Sequence, residues 1–440
     1  MKIAVIGAGI AGLTAAWRLE RAGHDVEVLE SQDHSGGRMW STTRQGFGID
    51  VGAHMLLSSF DRTRTLVEEM GIGDQWFELE DGGEGGVLRN HELTSFSPKG
   101  AFDVLRYRGL PLAGRVRLLL ALLETGPHRN ELDFFDLSVG DATLEEEDCE
   151  TFARRKLGDE ATDYVVDSFI RTFHFHGAAK MSAKYFEALA ALLLSRGEFR
   201  LCALRGYMRA LPDALASRLS VRYEVPVSAV VSEARGVGVH ALGGVASYDA
   251  VVVATPADVA RTLLRSPSPA QRSVLENAAS SCTALCAYAV PVDRAGAFEG
   301  IWVPFRESQI VSGISNDTNK GSTDGERCSF NVWLHEEAAA SLLSRSDEDI
   351  LVAVAAEVER LFPRYADLLS PLFVQRWQYA LPVYGVGFVA RVRAFWEEGQ
   401  GDGGVWLCGD YLNHPWVEGA VRCGEKVALR LDTARAQSVT

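Results

Sequence analysis

KIAVIGAGIAGLTAAWRLERAGHDVEVLE, residues 2–30, is the stretch that decides the fold. Residues 3–6 form a short run rich in β-branched side chains, suited to a strand buried on both faces. Gly7, Gly9 and Gly12 follow at G-x-G-x-x-G spacing and open an alanine- and leucine-rich helix. Gly7 permits a tight turn, Gly9 lets the backbone approach a pyrophosphate, and Gly12 lets helix pack on strand. The helix N-terminus offers unpaired N–H groups and a positive dipole end to phosphates. DVEVLE, residues 25–30, is a second strand, and Glu30 at its end can accept the hydroxyls of an adenosine ribose. A carboxylate there repels a 2′-phosphate, which disfavours NADP. Three glycines alone would only permit a turn. Strand, helix, strand and acid together specify a dinucleotide site.

Further segments follow in a fixed order. Ser35-Gly36-Gly37-Arg38 comes directly after the second strand, then FGIDVGAHM at 47–55. PVSAVV (226–231) and YDAVVVATP (248–256) read as later strands, and VWLCGDYLNHPWVEGAVRCGEKVALRL (405–431) reads as strand, Gly-Asp, loop and helix. This set resembles the flavin-containing amine oxidase, protoporphyrinogen oxidase and phytoene desaturase superfamily. The resemblance covers most of the nucleotide domain and the middle of the chain only thinly. It implies an α/β fold: a Rossmann-like FAD-binding domain (1–82, 205–262 and 395–440) with an inserted α+β substrate-binding domain (83–204 and 263–394).

The resemblance also implies a set of FAD contacts. Beside Gly7, Gly9 and Gly12 these take in Ile10 and Ala11, then Glu30 and Ser31, then Gly36, Gly37 and Arg38. Arg38 is expected along the diphosphate and ribityl chain, where a fixed bidentate cation suits phosphate oxygens. Gly52, Ala53 and His54 are expected near the cofactor, His54 not as a base, and the backbone at Val227 is expected to face the adenine. Gly409 and Asp410 place a carboxylate near the ribityl chain; Trp416, Val417, Glu418 and Ala420 surround a helix start aimed at the flavin pyrimidine. A helix N-terminus there stabilises negative charge on the reduced ring. No cysteine occupies the segment where some amine oxidases attach flavin covalently, Cys408 and Cys423 being in other roles, so dissociable FAD is expected.

The chain departs from the family at His414-Pro415-Trp416, where Pro-Ser is common. Trp416 then reads either as a wall of the substrate site or as an ordinary buried aromatic. QRWQYALPVYGVG (375–387) resembles the segment that brings the substrate domain to the flavin, which makes Tyr384 the second candidate catalytic aromatic, with Trp377 behind it. The competing reading of Tyr384 is packing beside Pro and Gly.

Composition sets outer limits. A chain of 440 residues, 47% hydrophobic and 23% charged, has room for two large cores. Its net charge of −15 argues against nucleic acid, because no basic stripe exists to displace counterions. The acidic runs 78–86 and 144–150 read as solvated loops or helix faces. The seven cysteines are scattered and fit reduced thiols in a cytoplasmic protein whose first strand begins at residue 2. VRLLLALLE (116–124) and FEALAALLLS (186–195) have the length of core helices, so membrane association is not expected. The oligomeric state stays open, a homodimer included.

In the middle of the chain, 83–204 is largely helical in pattern, 280–335 strand-like, and 347–362 helical again. SPSPAQ (266–271) reads as a hinge-like stretch. His174 and His176 alternate around Phe175, which in a strand puts both on one face; with no Cys or carboxylate at metal spacing, a partly exposed pair and no metal site are expected.

The function implied is an FAD-dependent oxidase. It takes a hydride from a carbon next to nitrogen of a hydrophobic or cyclic small molecule, such as a biosynthetic intermediate, with O2 as acceptor and H2O2 as product. A neutral amine carries its own lone pair, so no strong protein base is required. The alternatives are a C–C desaturase or dehydrogenase of the phytoene desaturase or protoporphyrinogen oxidase type, and a flavin-binding protein without turnover. An NAD-dependent dehydrogenase would leave the Gly-Asp and E-G-A segment without a role.

Overall fold

A computed structural model describes residues 1–80, 85–96, 101–194 and 200–439, with side chains to residue 435. Five parallel strands build the nucleotide-binding layer, in the spatial order Val221–Arg222, Asp25–Leu29, Lys2–Ile6, Ala250–Val253, Val405–Leu407. Their near-continuous apolar character follows from burial on both faces: Ile3, Ala4, Val5 and Val251 to Val253 are fully buried. The first helix, Ile10–Arg21, and the last, Val417–Val439, lie against each other beside this sheet. They approach closely because Gly424 carries no side chain; a Cβ there would lie 2.5 Å from Ala11 O.

A second, seven-stranded sheet runs in the order Ser370–Trp377, Thr283–Pro291, Arg327–Leu334, Val311–Asn316, Gly300–Trp302, Gly86–Arg89, Glu92–Thr94. Its pairings are antiparallel apart from Gly300–Trp302 with Gly86–Arg89. Helix Asp347–Leu361 covers it, capped by Ser346, whose side chain accepts the Asp349 N–H. Tyr288, Phe330, Val332, Ile350 and Val354 form the core between them. The α/β class with an added α+β layer is the architecture expected.

Several local expectations are corrected. The segment after residue 83 opens with two strands, 86–89 and 92–94, that belong to the second sheet. Leu201–Leu204 pairs with Leu56–Leu57 and Trp76–Glu78, on the nucleotide side of the expected boundary at 204. The core that holds the nucleotide sheet runs on without a break through Val274, Leu275, Phe388 and Val392 and through Phe169 and Tyr185. The boundary at 82/83, the middle of the acidic run 78–86 and the end of 186–195 lie outside the described residues. SPSPAQ is no hinge: Ser268 and Gln271 form a reciprocal capping box with proline in the first turn of helix Pro269–Asn277. Helix Leu112–Thr125 buries only one face, with Leu118, Ala121 and Leu122 inward and Val116, Leu120 and Leu123 exposed. Among the described residues, no helix is long and apolar enough to cross a membrane.

Candidate active site

The glycine turn has the geometry a dinucleotide phosphate needs. Gly7 takes φ +104°, and a Cβ on Gly12 would stand 2.1 Å from Gly7 O, so both positions exclude a side chain. Gly9 differs, because a Cβ there would meet nothing within 4 Å. The backbone faces open space at the very point where helix Ile10–Arg21 begins. No side chain caps that helix and no acidic residue sits in its first turn, so its amide donors and dipole are free for an anion. Glu30, 9% exposed, locks the turn. Its Oε2 accepts the Ala8 N–H at 2.7 Å, and its Oε1 accepts the Gln32 N–H at 2.9 Å and the Ser31 hydroxyl at 3.1 Å. An ionised carboxylate has about four acceptor sites, so capacity remains for ribose hydroxyls. Val225 N–H donates to Glu30 O, which brings the strand beginning at Val227 beside this acid.

The two ends of the chain meet at Arg38. Its guanidinium donates to both oxygens of Asp410, each at 2.8 Å, and to Ala380 O at 2.9 Å. Arg38 and Asp410 are 372 residues apart in sequence. The Gly36–Gly37 segment reaches the glycine turn directly: Gly36 N–H donates to Ala8 O, and Gly9 bridges Gly36. Ala53 N–H donates to Arg38 O at 2.6 Å, and Gly52 lies so close that a Cβ would meet that oxygen at 2.2 Å. Glycine turn, Gly-Gly-Arg, Gly-Ala-His and Gly-Asp therefore share one cradle. These residues fit a bound FAD: open backbone at Gly9, an uncapped helix start, an acid for ribose and a partly exposed arginine beside it.

His54 ties this cradle to the second sheet. Its Nε2 lies 2.7 Å from Asp317 Oδ1 and 2.8 Å from Ser315 Oγ, and its carbonyl accepts the Lys320 ammonium. Lys320 also reaches Asp50 Oδ2 at 3.1 Å, while Asn331 donates to Asp317 Oδ2 at 2.8 Å. Burial pushes the Asp317 carboxyl up, but His54 and Lys320 outweigh it and hold it below the ordinary carboxylate range. Nothing in the sequence pattern singled out Asp317, Lys320 or Asn331, since they lie outside every motif.

Two expected residues have other work. The Glu418 carboxylate, fully buried, accepts the N–H groups of Arg62 and Thr63 and the Thr63 hydroxyl. It thus caps helix Asp61–Glu69, and Val417 and Ala420 beside it at the start of the last helix are also buried. Tyr384 is 1% exposed and its hydroxyl donates to Asp410 O at 2.6 Å. Its ring packs on Phe388 and borders a cavity of about 140 Å³ shared with Trp396 and Leu412. Tyr384 anchors the Gly-Asp loop through this bond. Trp377 donates to Val51 O at 2.6 Å, another tie between sheet and cradle.

Trp416 is placed differently. It is partly exposed, precedes the last helix, and holds φ +119°, a strained value for a bulky residue. Its ring stacks on His174 (5.6 Å, 17°) and lies 5.1 Å from Phe134 and 5.9 Å from Phe173. Tyr185 and His414 close the group, Tyr185 with a hydrogen bond to His174 Nε2. The expectation of a partly exposed histidine pair in a strand is overturned. His174 ends helix Asp167–His174, Phe175 turns left-handed, and both His174 and His176 are fully buried. Burial drives His174 well below the ordinary imidazole range, His176 down to about 4 and His414 down to about 3. Among the described residues, no group of three or more His, Cys, Asp or Glu could hold a metal ion. All seven cysteines are free thiols, and burial and a hydrogen bond with Cys423 raise the Cys408 thiol, the hydrogen bond being the larger cause.

A profile described as flavin containing amine oxidoreductase matches residues 10–431. The chain belongs to that family. It is 26% identical to the coproporphyrinogen III oxidase of Mycobacterium bovis over 419 residues, 89% of each chain. An engineered triple mutant of putrescine oxidase superposes with a TM-score of 0.80 at 18% identity over 99% of each chain. Cyclohexylamine oxidase from Brevibacterium oxydans superposes at 0.77 with 16% identity, again over 99% of each. These two likenesses carry the fold. The flavin amine oxidase-family protein is thus an FAD-dependent oxidoreductase that uses small-molecule substrates.

Proposed function

We propose that this flavoenzyme oxidises a carbon next to nitrogen in a hydrophobic or cyclic small molecule, with O2 as electron acceptor and H2O2 as product. The observation that carries the reading is Trp416: a partly exposed indole in strained backbone, next to the Gly-Asp loop and ringed by Phe134, Phe173 and His174. In this reading Glu30 takes the adenosine ribose, the amides after Gly9 take the pyrophosphate, and Val227 lies at the adenine. Arg38 and Asp410 hold the diphosphate and ribityl chain, and the last helix presents its N-terminus to the pyrimidine edge. FAD, held without a covalent bond, supplies the hydride acceptor and the route of electrons to O2. Trp416, Phe134 and Phe173 orient a flat apolar substrate and keep water from it. The neighbouring imidazoles are held neutral by burial, so the wall favours an uncharged amine whose own lone pair assists C–H cleavage.

Anaerobic mixing of the yellow protein with hydrophobic cyclic amines tests this. Flavin absorbance should bleach, and readmitted air should give peroxide and an imine or aldehyde in equal amounts. Trp416→Ala should keep the flavin and lose turnover. A panel of amines that never bleaches the flavin refutes the reading. A second reading, oxidation that introduces C=C bonds, draws on the likeness to coproporphyrinogen III oxidase along 89% of both chains. A new C=C bond in the product, with amines inert, would favour it.

A further inference from the structure

The cavity of about 140 Å³ bordered by Tyr384 takes no part in the proposed oxidation, yet its walls carry unpaired charge of both signs. It lies between helix Phe388–Glu398, the last helix and the loop 136–138. One wall is the indole of Trp396, 5% exposed and fixed by its N–H, which donates to Leu412 O at 2.8 Å. The Lys426 ammonium sits 4.1 Å over that ring. Among the described residues it makes no hydrogen bond and no ion pair. Burial holds it below the ordinary lysine range, against the pull of Asp136. Arg430 lies over the same ring at 5.2 Å and donates to Trp396 O, which leaves most of its N–H groups free. Asp136 and Glu397 add two carboxylates to the lining. Asp136 Oδ1 accepts the Ser138 N–H at 2.9 Å and the Ser138 hydroxyl at 2.6 Å. Its Oδ2 and the Glu397 carboxylate have no partner among the described residues. Arg393, a third cation, is already engaged by Ser138 O at 2.9 Å and Glu145 Oε1 at 3.4 Å.

Two cations and two carboxylates thus border one small space without pairing with one another. A partly buried charge without a partner is costly, and a ligand that pairs with it recovers that cost. An anion alone would satisfy Lys426 and Arg430 and be repelled by the carboxylates, and a cation alone would meet the reverse. A zwitterion satisfies both. A cavity of about 150 Å³ holds a molecule of about six heavy atoms, the size of alanine. The place is separate from the cofactor end of the last helix, since Lys426 lies about 13 Å along its axis from Val417. We propose that this cavity binds a small zwitterionic amino acid, its carboxylate on Lys426 and Arg430, its ammonium on Asp136 and Glu397, and its side chain against Trp396.

The FAD-loaded protein is dialysed to equilibrium against radiolabelled L-alanine. Saturable binding of one molecule per chain is expected, with Kd about 1 mM or below. Propanoate and ethylamine, each lacking one of the two charges, should compete about tenfold more weakly than unlabelled alanine. Lys426→Met and Asp136→Asn should each weaken alanine binding by about tenfold or more, with flavin occupancy unchanged. Trp416→Ala should bind alanine as the parent does, which separates this cavity from the substrate wall. No saturable binding, propanoate competing as well as alanine, parental binding by both charge variants, or loss of binding in Trp416→Ala would overturn the proposal. None of these readouts uses turnover, so failure of the functional reading leaves the test intact.

Discussion

Around the glycine turn, the groups proposed to hold FAD are backbone amides, one carboxylate and one guanidinium, drawn from motifs whose spacing is fixed. Around Trp416 the wall is side chains alone, from 134, 173–174, 185 and 414–416, brought together by tertiary packing. The cradle is held by hydrogen bonds that specify position to a few tenths of an ångström. The wall is held by ring packing, which fixes shape and excludes water but tolerates substitution of like size. One fold can thereby keep its coenzyme constant and vary its substrate.

The sharpest way to break this contrast lies within three residues of the glycine turn. Gly12→Ala drives a Cβ into Gly7 O at 2.1 Å, a backbone clash that nothing nearby can relieve. It should cost about 3 kcal/mol or more and give poorly folded protein, read by urea unfolding. Gly9→Ala meets open space and should leave the apo stability close to the parent's. Its expected loss is FAD affinity, by about tenfold or more in flavin-fluorescence titration. If both variants behave alike, Gly9 is a turn residue and not a phosphate seat.

Arg38→Met comes next. It strands the Asp410 carboxylate, 5% exposed, without its bidentate partner. Removing one member of a buried pair costs about 3–5 kcal/mol, less here because Arg38 itself is 29% exposed. Both the melting temperature and flavin occupancy should fall. An unchanged occupancy would detach Arg38 from the cofactor.

The buried histidines at and behind the wall, His174, His176 and His414, make stability depend on pH. Above the ordinary value of 6.5 all three are neutral, folded or unfolded. Below it the unfolded chain binds protons that the folded chain refuses, down to about 4 for His176 and about 3 for His414. Stability is therefore full above 6.5 and drains as pH falls through that window, by about 2 kcal/mol at pH 5 for each of His176 and His414. His414→Gln should flatten the slope of urea midpoint against pH between 7 and 5. A slope identical to the parent's would mean that His414 is solvated after all.

The contrast also explains what the sequence made legible. Strand, glycine turn, helix and acid at 2–30 are local, and their geometry follows from spacing. Arg38 and Asp410 were legible as motif residues, though their direct pairing was not, because 372 intervening residues hide it. The burial of His174 is hidden in the sequence because a left-handed Phe175 ends a helix at a point where His-Phe-His alternation also suits a strand. Asp317, Lys320 and Asn331 carried no signal at all: isolated polar residues look like surface until a fold buries them. Leu112, Val116, Leu120 and Leu123 erred the other way, since apolar spacing predicts a helix but not which side faces solvent.

Tyr384→Phe is the smallest expected change and discriminates most finely between cradle and wall. It removes one hydrogen bond to Asp410 O, 2.6 Å long, and leaves the ring that packs on Phe388. A neutral hydrogen bond of this kind contributes about 1 kcal/mol, so the melting temperature should drop by a few degrees. FAD affinity should weaken slightly as the Gly-Asp loop loosens, while kcat and KM stay near the parent's, because the buried hydroxyl meets no substrate. A collapse of kcat with flavin still bound would move Tyr384 from the cradle to the wall, and the Gly-Asp loop would then owe its position to Arg38 alone.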